Sequence, residues 1–256
     1  MDSTDLTYME RIYIVMPAYN ESANIADTIH KWYPVVQRLN QTSLWGGVHS
    51  HLCIANDGSK DNTFSIMQEL KRQENLEYFE PLDKPNSGHG ATVLYLYRHA
   101  LENGADYVFQ TDSDGQTNPE EFWQMWEHRA DYDFQIGDRK GREDGLSRVF
   151  VTKILRLVVW LMFHEWVVDA NTPFRLMQCE KLRKIMEVIP EDYFLCNVAI
   201  SAIAVKWQYR IKFYPITFRP RQGGVNSINM KRIIKIGWKA LGDFHRINAN
   251  LRMAGQ

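Results

Sequence analysis

Short apolar runs alternate with segments of helical spacing through the first half of this chain, and no other feature constrains its fold as much. Arg11–Pro17, His51–Asn56, Leu76–Leu82 and Tyr107–Thr111 each read as a strand. Asn24–Leu39, Asp61–Lys71 and Gly90–Glu102 carry apolar residues at helical spacing between them. Parallel strands need long crossovers, usually helical, so this order predicts an α/β fold with a mostly parallel central sheet and helices on both faces. In open sheets of that kind ligands bind beyond the carboxyl ends of the strands.

The chemistry-bearing residues sit at those ends. Ala18-Tyr19-Asn20-Glu21 follows the first strand, Asn56-Asp57-Gly58-Ser59 the second, and Asp112-Ser113-Asp114-Gly115-Gln116 the fourth. Hard oxygen donors at alternate positions, Asp112, Asp114 and the Gln116 amide, suit Mg²⁺ or Mn²⁺ bridging to substrate phosphates. An acidic turn after a strand is also ordinary, because Asp, Ser and Gly favour turns. Convergence of several strand-end motifs decides for the metal. Asp57 can accept hydrogen bonds from a nucleobase N–H, or else serve as a turn or cap residue ahead of a helix. Asn86-Ser87-Gly88-His89-Gly90 opens a helix, where backbone amides attract phosphate. It lacks the lysine of a P-loop and the spacing of a dinucleotide fingerprint, which argues against kinase-type and dehydrogenase readings.

The second half is less regular. Phe134–Gly137 and Gln208–Phe218 read as strands, Pro173–Met177 as a short extended piece, and Glu180–Val188 and Asn197–Val205 as helices. Ser147–His164 is a long helix, apolar almost all round, and is buried or lies against lipid. Its most apolar run, Ile154–Phe163, is interrupted by Arg156 and too short to span a bilayer. Arg219–Asn226 is a glycine-containing loop that reads as a mobile lid carrying Arg221. Asn229–Leu251 is basic, amphipathic and contains Trp238, which fits an interfacial membrane helix or a surface helix of the same domain.

Charge is divided along the chain. Residues 1–138 hold 9 Lys and Arg against 22 Asp and Glu, net −13, whereas residues 139–256 are net +12. An acidic half suits a metal, and a basic half an anionic partner. Arg139, Arg142 and Arg148 could meet phosphate bidentately. The three cysteines are widely spaced and form no metal-type pair, so a reducing cytoplasm is expected. No histidine pair has zinc spacing, and neither His89 nor His164 is expected to be a ligand. The N-terminus reads as no signal peptide.

These motifs together resemble family 2 glycosyltransferases of the GT-A fold. The resemblance rests on Ile14 to Glu21, Ala55 to Ser59, Asn86 to Ala91 and Asp112 to Gln116, in order and in spacing, and covers at least residues 11–177. Asp-x-Asp-x-Gln followed by Pro119-Glu120, then Gly137-Asp138-Arg139, then Asp169-x-x-x-Pro173-Phe174-Arg175, is similar to the dolichol- or polyprenyl-phosphate mannose synthase-like branch. The resemblance implies a hexosyltransferase with one domain over 1–256. Its nucleotide and metal half would be 1–118, its acceptor half 119–228, and its basic amphipathic helix 229–256.

The same resemblance implies the site. Pro17, Tyr19, Glu21 and Asp57 would surround base and ribose, with Asn86 and Gly88 beside them. Asp112 would face the ribose or the metal, while Asp114 and Gln116 would ligate Mg²⁺ or Mn²⁺. Arg139, Arg148 and Thr152 would hold an acceptor phosphate, and Arg221 would reach the diphosphate. Asn56 and Ser113 depart from the family's common Asp and Ala. No transmembrane helices follow the catalytic half, unlike in many lipid-linked members.

The expected reaction is inverting transfer from a UDP- or GDP-linked sugar to a polyprenyl phosphate, whose anion needs no general base. A saccharide hydroxyl, on a lipid-linked or other glycan, would need one, for which Asp169 is the candidate. An inactive nucleotide-binding partner subunit is the reading from another class, and the intact acidic motif argues against it. A nucleotidyltransferase would need a basic glycine-rich loop that is absent after Ile14. The expected setting is cytoplasmic and peripheral to the membrane, through direct contact or a membrane partner protein, without a nucleic-acid partner.

Overall fold

The computed structural model describes residues 10–41, 49–139 and 171–219. Seven strands form one sheet: β1 Ile12–Ala18, β2 His51–Asp57, β3 Phe79–Lys84, β4 Tyr107–Gln110, β5 Phe134–Arg139, β6 Arg175–Gln178 and β7 Ile211–Ile216. Their spatial order is β3-β2-β1-β4-β6-β5-β7. The β1–β2, β2–β3, β1–β4 and β5–β7 pairs are parallel, and β6 runs antiparallel to both β4 and β5. Two reversals restore direction, so β5 is parallel to β4. The carboxyl ends of six strands therefore share one edge, and Asp57, Asp112 and Arg139 all belong to it.

Helices cover both faces, as the alternation predicts. One face carries α1 Ile25–Gln41, α2 Thr63–Gln73 and the short α4 Phe122–Glu127; the other carries α3 His89–Glu102, α5 Cys179–Val188 and α6 Cys196–Lys206. Period-two alternation in β1 divides its side chains between them. Ile12, Ile14 and Met16 join the core under α1, while Tyr13 and Val15 join the core under α3. A strand covered on both faces must be apolar throughout, and all seven residues of β1 are buried. Helix α6 is buried from Cys196 to Ala204, so it carries no amphipathic signal for a sequence reading to use.

Two elements differ from expectation. The antiparallel β6 is inserted between two parallel strands, which its four residues could not announce. A 3₁₀ turn at Pro119–Glu121 and α4 follow the acidic motif, started by the Asn118 side chain, which accepts from the Glu120 amide at 3.3 Å. Among the described residues no helix is long and apolar enough to cross a membrane. Ser147–His164, the Arg219–Asn226 loop beyond Arg219 and the final helix lie outside the described residues.

Candidate active site at the strand carboxyl ends

The strand-end loops are tied to one another by side chains gripping backbone. The Ser113 hydroxyl donates to the Pro17 carbonyl at 2.8 Å, and Thr28 Oγ1 on α1 donates to the Ser113 carbonyl at 3.0 Å. The acidic turn is thereby fixed to β1 and to the helix that follows it. The common Ala at this position could not make the first bond. Asn20, at φ 54°, donates its amide to Ser59 Oγ at 2.9 Å and accepts from the Lys60 amide at 2.8 Å. The Glu21 amide donates to Thr63 Oγ1 at 2.9 Å. All these loops leave one sheet edge, so their positions are set by the core rather than by the loops alone.

Asp57 is buried, and its carboxylate has three partners. Lys84 Nζ lies 2.6 Å from Oδ1, the Ser87 amide donates to Oδ1 at 2.8 Å, and the Gly88 amide donates to Oδ2 at 2.9 Å. The Asn86 side chain donates to the Asp57 carbonyl at 2.7 Å. Burial works against ionisation, but the Lys84 ammonium and the Ser87 amide outweigh it and hold the carboxyl below its ordinary range. Two amides of the glycine turn thus serve Asp57 in this structure. A carboxylate has about four lone-pair sites, so accepting a further N–H remains chemically open. Lys84 was invisible to the sequence reading. Its only signal was position, since it pairs with Asp57 in the β2–β3 register.

The same register explains Asn56. It lies opposite Asp83, and its Nδ2 donates to Asp83 Oδ1 at 2.7 Å. A second Asp here would set two carboxylates against each other. Gly58 (φ 62°) also has a structural reason, because a Cβ there would come within 2.7 Å of the Asn86 nitrogen.

In the acidic motif, Asp112 is half-buried, and its Oδ1 is inaccessible to solvent with no hydrogen-bond partner. Such an oxygen is costly unless a ligand completes it. Asp114 Oδ1 accepts from the Gln116 amide at 3.1 Å across Gly115, whose φ of 74° makes the tight turn. Gln116 Nε2 donates to the Arg219 carbonyl at 2.7 Å, which leaves Gln116 Oε1 as the side chain's acceptor. The donor set is all oxygen, as Mg²⁺ and Mn²⁺ require, and the orphaned Asp112 oxygen fits a cation there.

Arg139 ends β5 on the same edge, with its guanidinium 5.3 Å from the Phe218 ring centroid. Tyr19 is among the few exposed large aromatics, at 43%. Pro17 and Glu21, on either side of it in sequence, are buried. Arg175 is wholly buried and acts as a clamp: it donates to the Thr172 carbonyl at 2.6 and 3.0 Å, to the Asn197 carbonyl at 3.1 Å and to Ser201 Oγ at 3.3 Å. Of the expected site residues, Pro17, Tyr19, Glu21, Asp57, Asn86, Gly88, Asp112, Asp114, Gln116 and Arg139 occupy this edge or the loops on it. Arg148, Thr152, Asp169 and Arg221 lie outside the described residues.

A mostly parallel sheet covered by helices on both faces, with oxygen donors at its carboxyl edge, is the architecture of the GT-A fold. The chain belongs to glycosyl transferase family 2, whose model matches residues 13–186. It is 25% identical over 224 residues to a UDP-N-acetylglucosamine–dolichyl-phosphate N-acetylglucosaminyltransferase of Methanococcus voltae, covering 80% of this chain and 84% of that one. It is 23% identical over 234 residues to a polyprenol monophosphomannose synthase of Mycolicibacterium smegmatis, covering 88% and 83%. Its fold is similar to that of glucosyl-3-phosphoglycerate synthase from Mycobacterium tuberculosis, solved with Mn²⁺, UDP and glucosyl-3-phosphoglycerate. The TM-score is 0.63 at 16% identity, with 93% of this chain and 80% of that chain covered. The protein is therefore an enzyme, a glycosyltransferase that takes its sugar from a nucleotide sugar.

Proposed function

We propose that this enzyme transfers a sugar, with inversion, from a nucleoside diphospho-sugar to a polyprenyl phosphate. The observation that carries the donor half is the unpartnered, solvent-inaccessible Oδ1 of Asp112 beside Asp114 and Gln116. Asp112, Asp114 and Gln116 would hold Mg²⁺ or Mn²⁺, whose charge offsets that of the departing diphosphate. The exposed Tyr19 would stack on the base, with Pro17, Glu21 and Asp57 contributing to the base and ribose site. Asn86 and Gly88 hold Asp57 in place from the glycine turn.

The acceptor half rests on the two curated relatives, whose names specify dolichyl and polyprenol phosphates, and on Arg139 at the same edge. Arg139, with Arg148 and Thr152, would position the acceptor phosphate. Arg221 would approach the diphosphate from the loop after β7. The phosphate oxygen is already an anion at neutral pH, so it attacks the anomeric carbon without a general base. A saccharide hydroxyl would require a base, for which Asp169 is the candidate. Work at a lipid acceptor implies peripheral membrane contact at the cytoplasmic face, through the basic segment 229–256 or a membrane partner.

The test is turnover of radiolabelled UDP- and GDP-sugars with Mn²⁺ or Mg²⁺ and two acceptors, a synthetic polyprenyl phosphate and a lipid-linked saccharide. Label entering polyprenyl phosphate alone supports the reading and identifies the nucleotide. Transfer only to the saccharide moves the acceptor to a hydroxyl. Tight nucleoside diphosphate binding with no transfer to either acceptor would identify a non-catalytic subunit.

A further inference from the structure

The amino ends of β2 and β3 carry a second polar cluster that sugar transfer does not use. Cys53 and Glu80 are side by side in the β2–β3 register, and α3 brings His99 over them. One donor atom from each of Cys53, Glu80 and His99 lies within 4.8 Å of the other two. His99 Nε2 is 2.6 Å from Glu80 Oε2, and His51 Nδ1 is 2.7 Å from Glu80 Oε1. The Tyr13 hydroxyl donates to Glu80 Oε1 at 3.4 Å, and its ring stacks on His51 with centroids 5.1 Å apart.

Two features separate this cluster from an ordinary ion-pair network. His51 Nδ1 is buried and makes no aligned hydrogen bond despite its closeness to the carboxylate. Glu80 is held by the His99 hydrogen bond at 2.6 Å and by the Tyr13 hydroxyl. In addition, a fully buried thiol lies at the base of the cluster, while Glu80 and His99 are each 22% exposed and leave a path from solvent. The site is separate from the candidate active site: Cys53 and Glu80 stand four residues before Asp57 and Lys84, about 13 Å along the strands.

We propose that Cys53, Glu80 and His99 bind one divalent transition-metal ion of borderline softness, Zn²⁺ by preference, with His51 orienting the Glu80 carboxylate. Sulfur, imidazole and carboxylate are the three zinc donor types, at about 2.0–2.3 Å from the ion. On a tetrahedral ion such ligands stand roughly 3.5 Å apart, a spacing that small side-chain rotations supply here. Mg²⁺ and Mn²⁺ avoid such a donor set, so the two metal sites select different ions. Binding releases the Cys53 thiol proton to solvent and fastens α3 to β2 and β3.

The experiment uses the full chain, stripped with chelator and titrated with Co²⁺ as a spectroscopic probe and Zn²⁺ as competitor. We expect a thiolate-to-cobalt charge-transfer band that saturates at one equivalent and disappears when Zn²⁺ is added. Cys53→Ser should abolish the band. His99→Gln, at a half-buried position, should keep the native circular dichroism and weaken Co²⁺ binding roughly 10–100-fold. Asp114→Ala should leave the band intact, which separates this site from the all-oxygen one. A folded wild-type protein without the band, or a band that survives Cys53→Ser and so belongs to Cys179 or Cys196, would overturn the proposal. So would a His99→Gln variant that loses stability while its cobalt spectrum stays unchanged.

Discussion

Gln116 and Arg219 hold each other by two hydrogen bonds across 103 residues of sequence. The Gln116 amide side chain donates to the Arg219 carbonyl at 2.7 Å, and the Arg219 amide donates to the Gln116 carbonyl at 2.9 Å. The acidic turn after β4 is thereby coupled to the chain leaving β7, two residues before Arg221. Gln116→Ala removes the side-chain bond and the oxygen proposed for the cation, and keeps the backbone bond from the Arg219 amide. Gln116→Glu keeps the oxygen and loses the donor. We expect Gln116→Ala to raise the Mn²⁺ concentration for half-maximal activity roughly 10–100-fold. Gln116→Glu should keep metal affinity while lowering turnover. Equal metal dependence in both variants and wild type would remove Gln116 from the cation site.

Asp112 carries a buried oxygen without a partner, so the unliganded protein gains nothing from it. Asp112→Asn should leave the melting temperature of the metal-free protein unchanged or higher, because a desolvated charge is relieved. The same change should abolish the rise in melting temperature that Mn²⁺ with a nucleoside diphosphate gives the wild type. Asp114→Ala should abolish transfer. Loss of more than about 1 kcal/mol of metal-free stability in Asp112→Asn would give Asp112 a structural role instead.

Gly90 is required by a close approach. A Cβ there would lie 2.3 Å from the Phe194 carbonyl oxygen and 2.4 Å from that of Tyr193, and backbone cannot move aside as a side-chain end can. Gly90→Ala should destabilise the protein by about 1–3 kcal/mol in urea unfolding. Gly88 has open space but a φ of 89°, so Gly88→Ala is strained through the backbone instead. A neutral Gly90→Ala would mean that the Tyr193–Phe194 turn yields.

Lys84 makes the Asp57 contribution depend on pH in a definite direction. The folded carboxyl titrates below its ordinary value, so the folded state binds fewer protons than the unfolded chain between the two values. Its stabilisation is complete above the unfolded carboxyl value of about 3.9 and is lost as pH falls through the lower folded value. Lys84→Met strands a buried carboxylate and should cost about 2–4 kcal/mol at pH 7. The gap to wild type should narrow in acid, where protonation relieves the stranded charge. Denaturant unfolding at pH 7 and near pH 4 checks this, and a gap that stays constant would show that Lys84 acts by packing alone.

Asn56→Asp tests why this chain departs from the family's common carboxylate. The amide bond to Asp83 at 2.7 Å would become a like-charge contact, at a cost of about 1–2 kcal/mol at neutral pH. The double change Asn56→Asp with Asp83→Asn should restore stability. Failure of that rescue would place the cost outside the contact with Asp83.

How far the sequence reaches can be seen in single residues. Short apolar runs and helical spacing mark the described strands and α1, α2, α3 and α5, because burial on two faces or on one stripe is written locally; the evenly buried α6 carries no such stripe and the short α4 is missed. Asp57, Asp112 and Asp114 were legible because parallel strands deliver their carboxyl ends to one edge. Lys84 was not, since its partner is 27 residues away in sequence and adjacent only through register. The same holds for His51, Glu80 and His99, whose spacing fits no metal motif and which meet only because α3 crosses back over β2 and β3.

The sequence by itself therefore determined the layered fold and the edge to which the candidate oxygen donors are delivered, since each follows from short-range pattern and the handedness of crossovers. The tertiary structure alone decided which amides serve Asp57, why position 56 is an amide, how Gln116 is coupled to the chain after β7, and that a sulfur, a carboxylate and an imidazole share one point. Those are pairings between strands and across layers, and their energies depend on distances that no local pattern encodes.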